Sequence, residues 1–403
     1  MPQDPPERPA GALRPPVRDP DAPRRVTLLE LFFDLVYVVA LALISRGLVI
    51  DVTWQGVGQA LLMLMAVWWT WAISTMVTDL YDPQRPEIKL LVAGTMFGVL
   101  LMTAAIPKAF GPRGLVFAGA YVAIHLGRGI FLMLALRAHP QARHRTARVF
   151  VWFAVSAVPW IVGASVGGHA REVLWALALA IDYGGFRVAY PVPGLGPIPE
   201  GQRTGTATPE HLPERYQQFF IIALGDAVLV IGTMFSIKHS EAENLAAFTI
   251  AFATTLLLWR IYVHKSGELL PQAIQSSRAP NKFLRTAPYT QLLMVAGVVI
   301  TAAGFDLVLH EPSGRTPPSW AAVILGGPAL FLVGRAFFEY EVFSRVSLSR
   351  PGGLLALLAI APAVLLLPPL FAAIGTMLVL AGVAVADYLR SRGRPPEAPS
   401  PPH

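Results

Sequence analysis

The chain has 403 residues, 54% of them hydrophobic and 14% charged, with mean hydropathy +0.53 and a formal net charge of +7. Soluble domains carry roughly 25% charged residues, so this composition excludes an ordinary soluble globule and points to an all-α, polytopic membrane protein. Cysteine is absent, which excludes disulfides, thiolate metal sites and cysteine catalysis, and in a chain of spans the positive charge reads as loop Lys and Arg, with no nucleic acid implied.

Residues 1–27 are rich in Pro and Arg without an apolar core, and read as a disordered cytoplasmic arm. Apolar runs then predict twelve transmembrane helices, at 28–45, 54–77, 88–106, 114–136, 148–166, 172–190, 214–235, 245–264, 288–309, 319–340, 352–367 and 369–389. Pro362, Pro368 and Pro369 leave the last two as one broken element or a short pair. Residues 191–213, rich in Pro, Gly and Thr, read as a linker between a first unit, 28–190, and a second, 214–389; a Pro-rich tail, 390–403, follows. With both termini cytoplasmic, the inside segments carry 22 Lys and Arg and the outside segments six, which supports an even number of spans.

Four residue matches recur in order between the two units. Asp34 and Asp226 lie 192 positions apart, Trp69 and Trp259 lie 190 apart, Thr103-Ala-Ala and Thr301-Ala-Ala lie 198 apart, and Gly127-Arg128 and Gly334-Arg335 lie 207 apart. They predict two six-helix repeats of the same orientation, since six is even.

The candidate chemistry lies in polar residues within the apolar runs. Thr27 and Glu30 fit a capping box at the start of the first helix. Capping does not explain Asp34, which shares a helix face with Glu30 and must be paired, protonated or hydrated. It is either a cation or proton site or a structural ion pair to an arginine. Asp226 falls near the middle of its span beside Gly225, a residue that permits close backbone approach. It too is either a site carboxylate or the partner of Arg335 or Arg128. Arg128 follows His125 by three residues, so both lie on one face, as do Arg260 and His264. These histidines can relay protons or act as hydrogen-bonded structure. Asp79, Asp82 and Arg85 read as a loop closing the cytoplasmic face, Gly94 and Gly98 as a helix-packing pair, and the tryptophans as interfacial anchors or core. No phosphate-binding loop, metalloprotease helix, hydrolase elbow or histidine ligand set is present, so neither an enzyme nor a metal or cofactor protein is expected.

Several stretches carry a family resemblance. They are Glu30-Leu-Phe-Phe-Asp34-Leu-Val-Tyr-Val, Leu80-Tyr-Asp82-Pro, His211-Leu-Pro-Glu214-Arg215-Tyr followed by Ile221-Ile-Ala-Leu-Gly225-Asp226, Met294-Val-Ala-Gly297 through Asp306, and Gly326-Gly-Pro through Gly334-Arg335. Together the chain resembles the bacterial low temperature requirement protein A family over about 28–340. The resemblance implies a multi-pass inner-membrane protein named for growth in the cold, and it adds Glu214 and Arg215 to the intramembrane polar residues. Members usually have Gly-Glu where this chain has Gly225-Asp226, a carboxylate one methylene shorter. The function expected is a secondary transporter or ion-conducting protein for a small ion or solute. Asp34 and Asp226 would be its site acids, and Arg128 and Arg335 their counter-charges. The other expectation is a non-transporting membrane scaffold or cold-growth envelope factor whose buried charges are structural.

Overall fold

The computed structural model describes residues 26–199, 211–237, 242–264 and 280–392. The expected arm up to residue 25, residues 200–210 of the expected linker and the tail from residue 393 lie outside the described residues. Among the described residues there are twelve α-helices: α1 (Leu28–Ile50), α2 (Trp54–Leu80), α3 (Pro86–Ala105), α4 (Gly114–Ala135), α5 (Pro140–Val166), α6 (Gly168–Arg187), α7 (His211–Ile237), α8 (Ala242–Val263), α9 (Pro280–His310), α10 (Pro318–Phe343), α11 (Ser349–Val364) and α12 (Pro369–Ser391). Each coincides with one expected run.

Ten of these are long and apolar enough to cross a membrane, by length and composition. The exceptions have plain causes. Helix α6 carries Arg171, Glu172, Asp182 and Arg187, and α11 has only 16 residues. Pro368 and Pro369 separate α11 from α12, with Pro369 as the first helical residue, where its missing N–H costs nothing. The last two runs are therefore two separate helices, of which only α11 is short. Helices α5 and α9 begin eight residues before their apolar runs, at Pro140 and Pro280. Hydropathy sees only the apolar part of a helix, and the first turns of α5 are rich in Arg and His.

Local signals set the helix starts. Thr27 caps α1 as expected: the Glu30 amide donates to Thr27 Oγ1 (3.3 Å) and the Thr27 amide donates to Glu30 Oε2 (2.9 Å). Thr53 caps α2 by accepting from the Gly56 amide at 3.0 Å. Large apolar side chains such as Phe32, Leu35, Phe97, Leu358 and Leu378 point outward from their helices. An apolar exterior around a core that holds buried charge is the arrangement expected of a protein solvated by lipid.

Helix α9 is the central element, packed against α1, α2, α7, α8, α10 and α12. Its contact with α10 is set by glycine. A Cβ on Gly297 would lie 2.5 Å from the Phe331 amide nitrogen, one on Gly327 would lie 2.6 Å from that of Thr301, and one on Gly334 would lie 2.8 Å from that of Met294. The paired positions advance in opposite directions, so α9 and α10 run antiparallel with their backbones in direct contact, as small residues allow. Gly98 likewise abuts Ile124 of α4, whereas a Cβ on Gly94 or Gly225 would meet nothing. The close approach expected at Gly225 does not occur.

Helix α1 packs on α2, α3, α7 and α9. Its partners on α7 keep one register: Ser45 meets Asp226 and Asp34 meets Arg215, both 181 positions apart. The two helices therefore run parallel. The expected linker is partly structured as well. Arg148 donates to the Leu195 and Gly196 carbonyls, and Trp152 Nε1 donates to the Pro191 carbonyl at 2.9 Å, docking this segment on α5.

Candidate functional site

The parallel packing of α1 and α7 builds a buried charge cluster from two i, i+4 pairs. On α1 these are Glu30 and Asp34; on α7 they are His211 and Arg215. Because both pairs share the helical spacing, one register satisfies both contacts. Arg215 grips Asp34 bidentately, Nη2 to Oδ1 at 2.7 Å and Nη1 to Oδ2 at 2.8 Å, and both side chains are buried. Trp71 Nε1 of α2 donates a third bond to Asp34 Oδ1 at 2.8 Å. The rings of Tyr37, Trp68, Trp71, Tyr216 and Phe219 pack on one another, with Trp71 lying against Arg215, and the ion pair is buried from water.

His211 sits between two carboxylates. Its Nδ1 is hydrogen-bonded to Asp79 Oδ1 at 3.1 Å, and its Nε2 lies 3.1 Å from Glu30 Oε1, at an angle that makes no good hydrogen bond. The imidazole belongs to α7, Glu30 to α1 and Asp79 to the last turn of α2, so one ring ties three helices together. Of the residues expected in a closing loop, Asp79 is instead helical and buried, while Asp82 and Arg85 lie in the α2–α3 connection, where Asp82 accepts from the Gln84 amide at 2.9 Å. Glu214 is exposed and lies outside the cluster.

The expected counter-charges are corrected by the packing. Arg335 lies on α10, which packs on α9, α11 and α12, and it bonds the His264 carbonyl through Nη2 while its guanidinium lies over the Phe338 ring. Arg128 lies on α4, between α3 and α5, and donates to Ser74 Oγ at 2.8 Å. Neither arginine reaches Asp34 or Asp226. Asp34 takes Arg215 instead.

Asp226 has a different environment. It lies fifteen residues into α7, about 22 Å along the helix at 1.5 Å per residue. Fully buried, it accepts one hydrogen bond, from Ser45 Oγ at 3.3 Å, and its Oδ2 has no partner. Among the described residues no cation lies within ion-pair distance of it. Asp34 and Asp226, matched in the repeat reading, thus sit at different depths, one neutralised and one not.

Two further clusters carried no signal in the sequence reading. Arg350 bonds Glu339 Oε1 at 2.7 and 3.0 Å and approaches Asp387 Oδ2 at 2.8 Å, tying α10, α11 and α12 together. Arg171 donates to the carbonyls of Ala109, Gly111, Gly163 and Ala164, and so fixes the α3–α4 turn against α5 and α6. Both arginines had counted only as loop charges, since hydropathy cannot tell a loop arginine from one folded back onto carbonyls.

A cavity of about 150 Å³ opens between α2, α4, α5 and the segment after α6. Arg128 and His125 line it, on one face of α4 as the spacing required. His125 stacks on Phe153 at 4.0 Å between ring centres, with neither ring nitrogen hydrogen-bonded.

The family model for the bacterial low temperature requirement A protein matches residues 25–385. An uncharacterized protein of Rhizobium meliloti (strain 1021) is 37% identical over 322 residues, covering 79% of this chain and 77% of that one. No solved structure matches the chain. The matched region takes in every helix from α1 to α11 and most of α12, together with the α1–α7 charge cluster and the α9–α10 glycine contact, and the chain belongs to the bacterial low temperature requirement A family.

Proposed function

We propose that this protein is a secondary transporter or ion-conducting protein in which Asp226 is the site that binds and releases a proton or small cation. The observation that carries the reading is Asp226 itself: a buried carboxylate deep in a span, with one serine as partner and a free oxygen. An isolated carboxylate in such surroundings is retained at a cost that a proton or cation relieves. The α1–α2–α7 cluster supplies the rest. Its ion pairs join three helices at one end of the bundle, where breaking them would free α1 to move against α7. The protein sits in the bacterial plasma membrane with both termini cytoplasmic, a placement supported by the distribution of Lys and Arg. Two six-helix units of the same orientation belong to the same reading, supported by the four ordered matches and by the parallel course of α1 and α7. No catalytic step is part of it.

Purified protein in proteoliposomes tests this, with proton, sodium and potassium fluxes followed under an imposed membrane potential. Flux through the wild type that is lost in Asp226→Asn is the expected result. Flux unaffected by that substitution would remove Asp226 from the site. The second reading, a non-transporting scaffold, is favoured by the neutralisation of Asp34 by Arg215. It would prevail if none of the three ions moved while the protein remained folded.

A further inference from the structure

The cavity beside Arg128 is separate from Asp226 and borders the α1–α2–α7 cluster only at Asp79 and Leu212. Three polar residues line it with at least one polar atom left without a hydrogen-bond partner. Arg128 is 5% exposed, spends Nη2 on Ser74, leaves Nη1 unbonded and forms no ion pair among the described residues. Glu30 shares a narrow crevice with Arg128 but is committed to the cap and His211. His125, 3% exposed, offers an N–H in either neutral tautomer. The Tyr190 hydroxyl is the third, an O–H donor with no hydrogen-bond partner.

Tyr190 is put there at a conformational cost. Ala189 and Tyr190 have φ of 62° and 52°, the left-handed region that residues with a Cβ rarely adopt. The Tyr190 amide bonds the Gly185 carbonyl at 2.8 Å and the Ile198 amide bonds the Ala189 carbonyl at 2.9 Å, which holds the bend. Strain of this kind is kept where the surroundings over-determine it, and ligand clamps are a usual place. The remaining wall is mostly apolar, from Met76, Leu132, Val149, Phe150 and Phe186; its other polar members are engaged, Asp79 with His211, Arg145 with the Tyr81 hydroxyl and Thr146 with the Ala142 carbonyl. A cavity of this volume with apolar walls accommodates a body the size of benzene.

We propose that this cavity binds a small organic monocarboxylate, its apolar body against the α2–α5 wall and its carboxylate on Arg128, His125 and Tyr190. The anion would supply the charge that Arg128 lacks, and its oxygens would accept from three donors that otherwise stay unpaired. The carboxylate comes either from a free organic acid or from a fatty acid of the membrane.

Calorimetric titration of the full-length protein in neutral detergent tests this, with benzoate for the free acid and decanoate for the membrane source. Benzoate or decanoate should bind at least tenfold more tightly than benzyl alcohol, and whichever is tighter identifies the source. Arg128→Gln should weaken that binding at least tenfold. Benzyl alcohol binding as tightly as the tighter of the two acids, absence of binding by both acids, or undiminished affinity in a monodisperse Arg128→Gln would each overturn the proposal. Should that variant fail to fold, Met76→Trp fills the cavity from its wall and leaves Arg128 and Ser74 in place. Binding must then disappear, and its persistence would be equally fatal. The titration reads binding without flux, so failure of the transport reading leaves this proposal standing.

Discussion

At the scale of single residues, Asp34 and Asp226 show how one side chain takes opposite parts in one membrane protein. Asp34 has two arginine bonds and an indole bond, and Asp226 has a single serine. Removing one member of a buried pair leaves the other charged and unsolvated, which costs about 3–5 kcal/mol, whereas replacing both by apolar residues of similar size is far less costly. Asp34→Asn is therefore expected to lower the thermal unfolding midpoint in detergent sharply, and the double variant Asp34→Leu/Arg215→Met to recover most of it. Equal losses in the single and double variants would show that the aromatic packing and not the ion pair holds the helices. Thr27→Ala removes only a cap bond, worth about 1 kcal/mol, and should shift the same midpoint much less. Glu30 and Asp34 drew attention in the sequence because a carboxylate is conspicuous in an apolar run. Their partners were harder to find, since His211 and Arg215 lie at the very start of the next unit, where a basic residue looks like loop.

At the scale of elements, helix positions were legible and helix contacts were not. Length and hydropathy located all twelve helices among the described residues, because a lipid-facing helix must be apolar over most of its length whatever it packs against. Glycine spacing identifies a face without naming its partner. Gly94 and Gly98 share a face of α3, yet only Gly98 touches another helix. The tightest seam lies between Gly297 and Gly304 of α9 and Gly327 and Gly334 of α10, each pair seven residues apart, and it accounts for two of the family-like stretches as packing. Gly327→Leu would drive a side chain into the Thr301 backbone and should abolish monodisperse protein on size-exclusion chromatography. Gly225→Leu, where a Cβ meets nothing, should elute like wild type. Matching losses in the two would contradict the α9–α10 contact. The repeat reading meets the same limit, for the environments of its matches differ: Trp69 is fully buried and Trp259 is 44% exposed.

At the scale of the whole molecule, the parallel packing of α1 and α7 joins the beginning of the chain to its middle. A signal for it was present in the sequence: acids four residues apart on α1 and basic residues four apart on α7, a complementary pair at one helical spacing. Read together, those spacings name the partners; read separately, Arg215 is one more loop charge and Asp34 is left without one. The same packing fixes how the ends of the bundle must face the membrane. The starts of α1 and α7 lie with the end of α2, so the α2–α3 turn holding Gln84 shares their side, and the α3–α4 turn holding Lys108 lies across the bilayer. The excess of Lys and Arg assigns the first side to the cytoplasm. Because the chain has no cysteine, single-cysteine variants test this without background. Gln84 and Lys108 are both exposed, and neither side chain belongs to a buried cluster. In intact cells freed of their outer barrier, Lys108→Cys should react with a membrane-impermeant maleimide, and Gln84→Cys should react only after the membrane is permeabilised. The reverse pattern would invert the molecule and place the Asp79–His211–Glu30 cluster at the outer face, and labelling of both from outside would contradict α3 as a span.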